Sequence, residues 1–359
     1  MGTAHDGRTG QRRVRTGAAA LVAVMAAVAL VAAACTPTPI GDPPTSGTPG
    51  ADGPCGTADE HVVNPVDSAM ELRIATPTGS GTPWTGGTCD DDSRPVVLLA
   101  HGYFGSLSAA YGGMIDHLVS NGFAVVFPAW PIPFDPDHWY DIVDTGFVTA
   151  AAHEPRIDTA RVGVLGHSMG GGMALRMVQL AAERGWGSDA LWTVLYAAAF
   201  AYQLPPGPIE VPSHTRVAVV GYEDDPLIDN RIAIELLQAT DLPAEQKVHV
   251  MVRTDHSGPA VLWADHFGPV GFTLPWLGQL SVDHLHRWAD WRVADATGRC
   301  ALDGEWCDVD LGDLGTWPDG RPVQRAIVSH DPADLGPVAI VECDVPFNPR
   351  PCPAPPGTR

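Results

Sequence analysis

The chain has 359 residues, enough for one large domain with a full core and extensions at either end. Its apolar share of 45% and charged share of 18% mark a globular body and exclude a disordered chain. A formal net charge of −21 disfavours nucleic acid and other polyanions as partners, so none is expected.

Arg8, Arg12, Arg13 and Arg15 precede an apolar run from Ala18 to Ala34, the layout of an export signal. Ala32-Ala33-Ala34-Cys35 resembles a bacterial lipobox. That resemblance implies removal of residues 1–34 and acylation of Cys35, hence an exported cell-surface lipoprotein attached to a membrane by its lipid, with a secreted protein as the other exported outcome. A plain N-terminal membrane helix is the alternative. Residues 35–54, rich in Pro, Thr and Gly, read as a tether. With Cys35 set aside, six cysteines remain, an even number suited to an oxidising compartment. Locality suggests Cys55–Cys89, Cys300–Cys307 and Cys343–Cys352, with other pairings open. None of the six stands near histidines at zinc-ligand spacing, and neither a metal nor a cofactor is expected.

From residue 55 the pattern becomes ordered. "PVVLLA" (95–100), "FAVVFPAW" (123–130), "RVGVLG" (161–166), "WTVLYAAA" (192–199), "RVAVVG" (216–221) and "KVHVMV" (247–252) are continuous apolar runs. Continuity rather than alternation predicts strands buried on both faces, as in parallel sheets. Helical segments fall between them at 109–121, 169–184 and 229–240, and 281–298 reads as a closing amphipathic helix. Strand and helix in alternation predict an α/β class: a doubly wound, mostly parallel sheet flanked by helices. We assign 55–307 to this domain and 308–359 to an extension whose role the sequence does not state.

Within "RVGVLGHSMGGGMALRM", Gly166-His167-Ser168-Met169-Gly170 joins a predicted strand to a predicted helix. G-x-S-x-G is weak in isolation, but between strand and helix it describes a tight turn that lifts the serine above the sheet's carboxyl edge. Ser168 is therefore the candidate nucleophile. A serine hydroxyl needs a base to take its proton and an acid to orient that base, here in the chain order Ser, acid, His. The loop "YEDDPLID" offers Glu223, Asp224 and Asp225, of which we take Asp225 over Asp224. "RTDHSG" offers His256 as the base. Its rivals are His266 in "WADHF", and His284 and His286, read as surface positions on the closing helix. The oxyanion donors expected are the amides of Met169 and of Tyr103 in "HGYFG".

Here the chain resembles the α/β-hydrolases of the cutinase-like polyester hydrolase and dienelactone hydrolase group. The likeness spans roughly residues 61–307. It rests on "HGYFGSLSAAYGGMIDHLVSNGFAVV", "RIDTARVGVLGHSMGGG", "YEDDPLID" and "TDHSG". It implies an α/β-hydrolase fold, a Ser168–His256–Asp225 triad, an oxyanion hole from Tyr103 and Met169, and cleavage of small or polymeric carboxylic esters by a monomer. Two stretches depart from it. "YAAAFAYQLPP" carries Phe200 and Tyr202 where polyester-active members have a Trp. The segment after His256 is longer, forming either a flap with Trp263, Phe267, Phe272 and Trp276 or a core-packing excursion. A serine peptidase or acyltransferase on the same fold, or a surface binding protein without catalysis, are the competing expectations.

Overall fold

The computed structural model describes residues 41–274, 280–330 and 339–353. The proposed signal, Cys35 and Trp276 lie outside them.

A nine-stranded sheet runs in the order β1-β2-β4-β3-β5-β6-β7-β8-β11. Its members are β1 Gly56–Val63, β2 Glu71–Thr78, β3 Arg94–Ala100, β4 Ala124–Pro128, β5 Ile157–His167, β6 Ala190–Tyr196, β7 Arg216–Tyr222, β8 Lys247–Val252 and β11 Ile327–Ser329. The six strands from β4 to β8 in that order are mutually parallel; β2 and β11 run against them at the two edges, and β1 pairs antiparallel with β2 outside it. Parallel pairing follows from the continuous apolar runs, because such strands must be covered on both sides. In β3, Val96, Leu98 and Ala100 enter one core layer, while Val97 and Leu99 enter the other.

The first layer is closed by helices α2 (Pro136–His153), α3 (Met169–Glu183) and α4 (Arg231–Ala239). The second is closed by α1 (Gly112–Ser120) and α5 (Arg292–Asp303). The closing helix departs from expectation at its start. A π-helical turn over His286–Trp291 leads into α5. There His284 and His286 are buried rather than on the surface, bonded to Leu314 O at 2.6 Å and to Asp283 at 2.7 Å.

All three cystines form as locality suggested: Cys55–Cys89, Cys300–Cys307 and Cys343–Cys352. Among the described residues, no helix is long and apolar enough to cross a membrane.

Residues 41–54, read as part of a tether, lie against the body. Gly50 N–H donates to Asp295 Oδ2 at 2.8 Å, Gly53 N–H to Ser120 Oγ at 2.8 Å, and Trp288 Nε1–H to Asp42 O at 2.9 Å. The pin is His117, fully buried on α1. Its Nδ1 lies 3.0 Å from Asp52 and its Nε2 3.1 Å from Asp295, with its face 4.4 Å from Trp291. Burial disfavours the imidazolium, but the charge and hydrogen bond of Asp295, reinforced by Asp52, outweigh it and raise the His117 pKa to about 9. The folded value thus lies above the unfolded 6.5. The stabilisation is fully present below pH 6.5 and is lost as pH rises through 9. Urea unfolding is expected to show stability falling by up to about 3 kcal/mol over that range, and His117→Asn to flatten the fall.

Candidate active site

The turn after β5 carries Ser168 at φ 55°, ψ −117°, left-handed backbone that a non-glycine residue adopts at a cost of about 1–3 kcal/mol. Three hydrogen bonds hold it there: Ser168 N–H to Tyr196 O (2.9 Å), and Gly172 and Ala199 N–H to Ser168 O (3.0 and 2.8 Å). The flanking glycines are needed for room. A Cβ at Gly166 would stand 2.2 Å from Gly170 O, and one at Gly170 would stand 2.1 Å from Ala100 O. Strand, turn and helix thus fix the hydroxyl at the carboxyl edge of the sheet, where open α/β sheets place their ligands.

Asp225 follows β7 and is buried. Its Oδ1 accepts from Leu227 N–H at 2.8 Å and Ile228 N–H at 2.9 Å, which leaves Oδ2 to accept from an imidazole at 2.8 Å. Asp224 is exposed, and Glu223 pairs with Arg253 at 3.2 Å. The structure therefore brings Asp225, and not Asp224, to the serine.

The imidazole belongs to His266. Its Nδ1 lies 2.8 Å from Asp225 Oδ2 and its Nε2 3.0 Å from Ser168 Oγ. A carboxylate only accepts, so Nδ1 carries the proton and Nε2 accepts from the hydroxyl. The expectation of His256 is corrected. That residue is exposed on a two-stranded hairpin, β9 (Asp255–Ser257) with β10 (Ala260–Leu262), and its ring lies 6.2 Å from that of Trp263. The hairpin has a physical cause in Gly258, at φ +60°, followed by Pro259, which turn the chain back on itself. Asp255, beside His256, is the residue anchored inward, accepting from Trp317 Nε1–H (2.7 Å) and Gln324 N–H (2.9 Å). The returning strand ends at Leu262, and two residues on the carbonyl of Ala264 accepts from Asp224 N–H at 3.0 Å, which delivers His266 to the loop of Asp225. The long segment is thus an excursion that brings His266 to Ser168 and Asp225. The signal for it was present in "DHSGPAVL", two short β-prone runs around Gly-Pro.

The loop after β3 passes closely beneath the nucleophile. A Cβ at Gly102 would lie 3.1 Å from Ser168 Cβ and 3.0 Å from His167 Nδ1. Tyr103 follows on this rim, its hydroxyl donating to Ile132 O. Met169 opens α3, so its amide has no i−4 carbonyl within the helix. Under the rim runs a relay that sequence reasoning missed. Gly102 N–H donates to Tyr111 Oη (2.8 Å), Tyr111 O–H to His167 Nδ1 (2.8 Å), and His167 Nε2–H to His266 O (2.8 Å). Burial and the neighbouring His266 push the His167 pKa well below its ordinary value, so the ring stays neutral and keeps this bonding pattern. His101, stacked on Trp130 at 3.3 Å, is likewise driven down, to about 3, by burial.

The arrangement can take a proton from Ser168 Oγ onto His266 and hold the resulting imidazolium against Asp225. Among the described residues, no group of three or more His, Cys, Asp or Glu side chains could hold a metal ion. No family model matches the chain, and no curated protein matches it.

Proposed function

We propose that this protein is an exported serine hydrolase of carboxylic esters, built on an α/β-hydrolase fold. The observation that carries this reading is the unbroken hydrogen-bond series Ser168–His266–Asp225 on a strained turn at the sheet's carboxyl edge. The strand order and the antiparallel β2 at the margin of a parallel sheet support the fold. The three cystines support export, and acylation at Cys35 remains part of the proposal.

In the mechanism, Ser168 Oγ attacks the ester carbonyl carbon as its proton passes to His266 Nε2. Asp225 stabilises the imidazolium without taking its proton. The amides of Met169 and Tyr103 receive the oxyanion, each worth roughly 3 kcal/mol in comparable chemistry. His266 then protonates the departing alcohol, leaving an acyl-serine. Water, deprotonated by the same imidazole, attacks that ester and releases the acid and free Ser168.

Ser168→Ala is expected to reduce 4-nitrophenyl butyrate hydrolysis by about 10⁶-fold while circular dichroism and the thermal midpoint stay unchanged. Retention of turnover would refute the reading. Assaying a peptide 4-nitroanilide beside the ester separates an esterase from a peptidase with the same triad.

A further inference from the structure

The segment after residue 338 is fastened at one end to the loop that carries the acid and at the other to α4 and the loop after β6. Ile340 N–H donates to Pro226 O (2.9 Å), Val341 N–H to Leu227 O (2.8 Å), and Asp229 N–H to Val341 O (3.1 Å). These bonds begin one residue past Asp225. Cys343 N–H donates to Asp229 Oδ2 at 3.1 Å, and the Cys343–Cys352 cystine closes the segment into a loop. Arg350 anchors its far end, bonding Glu235 at 2.7 Å and the carbonyls of Pro205 and Gly207.

At the tip of this loop, Phe347 packs edge-on against Phe200 at 5.4 Å, yet remains 61% exposed. Phe200 itself is only 3% exposed, and it follows Ala199, whose amide donates to Ser168 O. From Phe200 a row of rings continues through Tyr202 (6.1 Å), Phe134 (5.6 Å) and Trp139 (5.1 Å) to Tyr103 (5.4 Å) on the proposed oxyanion loop. The cystine and the part-buried Arg350–Glu235 pair hold this ring in place, and Phe134 within the same row is 62% exposed, so the row is open to solvent at two of its rings rather than at one isolated residue. The row joins the loop tip to the Ala199–Phe200 stretch, which bonds Ser168 O, and to the proposed oxyanion loop.

We propose that the C-terminal loop forms one wall of the substrate cleft, with Phe347 contacting the acyl part of the ester and setting a preference for large apolar acyl groups. The proposal rests on the ester hydrolase reading and deepens it. Phe347 determines specificity and takes no part in proton transfer. Contact of an apolar chain with the ring favours long acyl groups over acetyl in the transition state, because apolar area leaves water only for the longer chain.

The test compares kcat/KM for 4-nitrophenyl octanoate and 4-nitrophenyl acetate in the full chain and in two variants. Phe347→Ser is expected to lower the octanoate-to-acetate ratio about tenfold, and Phe347→Leu, which keeps apolar area, to lower it less than threefold. A ratio unchanged within about twofold in Phe347→Ser would overturn the proposal. A ratio that rises would overturn it too, since the loop would then obstruct the cleft. Absence of ester turnover by the parent protein would sink the hydrolase reading and this inference with it, whereas an unchanged ratio sinks this inference alone.

Discussion

His266→Ala is expected to lower kcat for 4-nitrophenyl butyrate by roughly 10⁴–10⁶-fold, whereas His256→Ala changes it by less than about threefold. The contrast follows from placement. His266 is buried with both ring nitrogens engaged, one by Asp225 and one by Ser168. Removing it leaves a hydroxyl with no base and a buried carboxylate with one partner fewer. His256 stands in solvent on the β9–β10 hairpin, and only its backbone is bonded inward, its carbonyl accepting from Arg321 at 2.6 Å. Its loss touches neither the nucleophile nor the acid. Steady-state kinetics on the two purified variants decides the matter, and a collapse of activity in His256→Ala would reverse the assignment.

The second large effect concerns the acid. Asp225→Asn is expected to cost about 10⁴-fold in kcat, and the geometry gives the reason. Two backbone amides, Leu227 and Ile228, already donate to Oδ1. The oxygen of the introduced amide must take that position, since an NH2 group there would face two donors. Its NH2 is thereby turned toward His266 Nδ1. That nitrogen must then accept, the ring proton moves to Nε2, and the imidazole can no longer take the serine proton. Asp225→Ala removes the charge without imposing the wrong tautomer. It is therefore expected to retain at least as much activity as Asp225→Asn, a ranking opposite to that of conservative replacement. Parallel measurement of kcat in the two variants checks this, and an Asn variant faster than the Ala variant by tenfold or more would contradict the hydrogen-bond assignment.

The parts of this molecule legible in its sequence are those whose physics is local. Continuous apolar runs gave away β3 to β8, because strands covered on both faces leave no polar alternation. Gly166 and Gly170 around Ser168 were readable for a related reason, since a turn that tight rejects any Cβ. Asp225 was reachable from the end of an apolar run, although nothing local separates it from Asp224. Burial does that, through amides two and three residues ahead. Helix α2 was missed even though Asp135-Pro136 is a start signal, with Asp135 Oδ1 accepting from His138 N–H. Its Trp, Tyr, Ile, Val and Thr residues favour strands by propensity, and tertiary burial overrides them.

The imidazole that reaches Ser168 was misplaced because position along the chain is a poor guide once a hairpin intervenes. His256 comes four residues after the last parallel strand, but the hairpin defers the return to the loop of Asp225 by ten residues, to His266. The ends were misread for a further reason. Residues 41–54 have the composition of a tether, and their docking depends on His117 and Asp295, far away in sequence. The C-terminal loop likewise shows no periodicity, because its order comes from a cystine, Arg350 and bonds to residues 226–229.

The most direct measurement is reaction of the full chain with a fluorophosphonate probe, followed by mass-spectrometric location of the phosphonylated residue. A hydroxyl activated by a buried imidazole predicts a single adduct at Ser168, lost in His266→Ala and retained in His256→Ala. An unlabelled Ser168 in folded protein, or labelling that survives the loss of His266, would contradict the account.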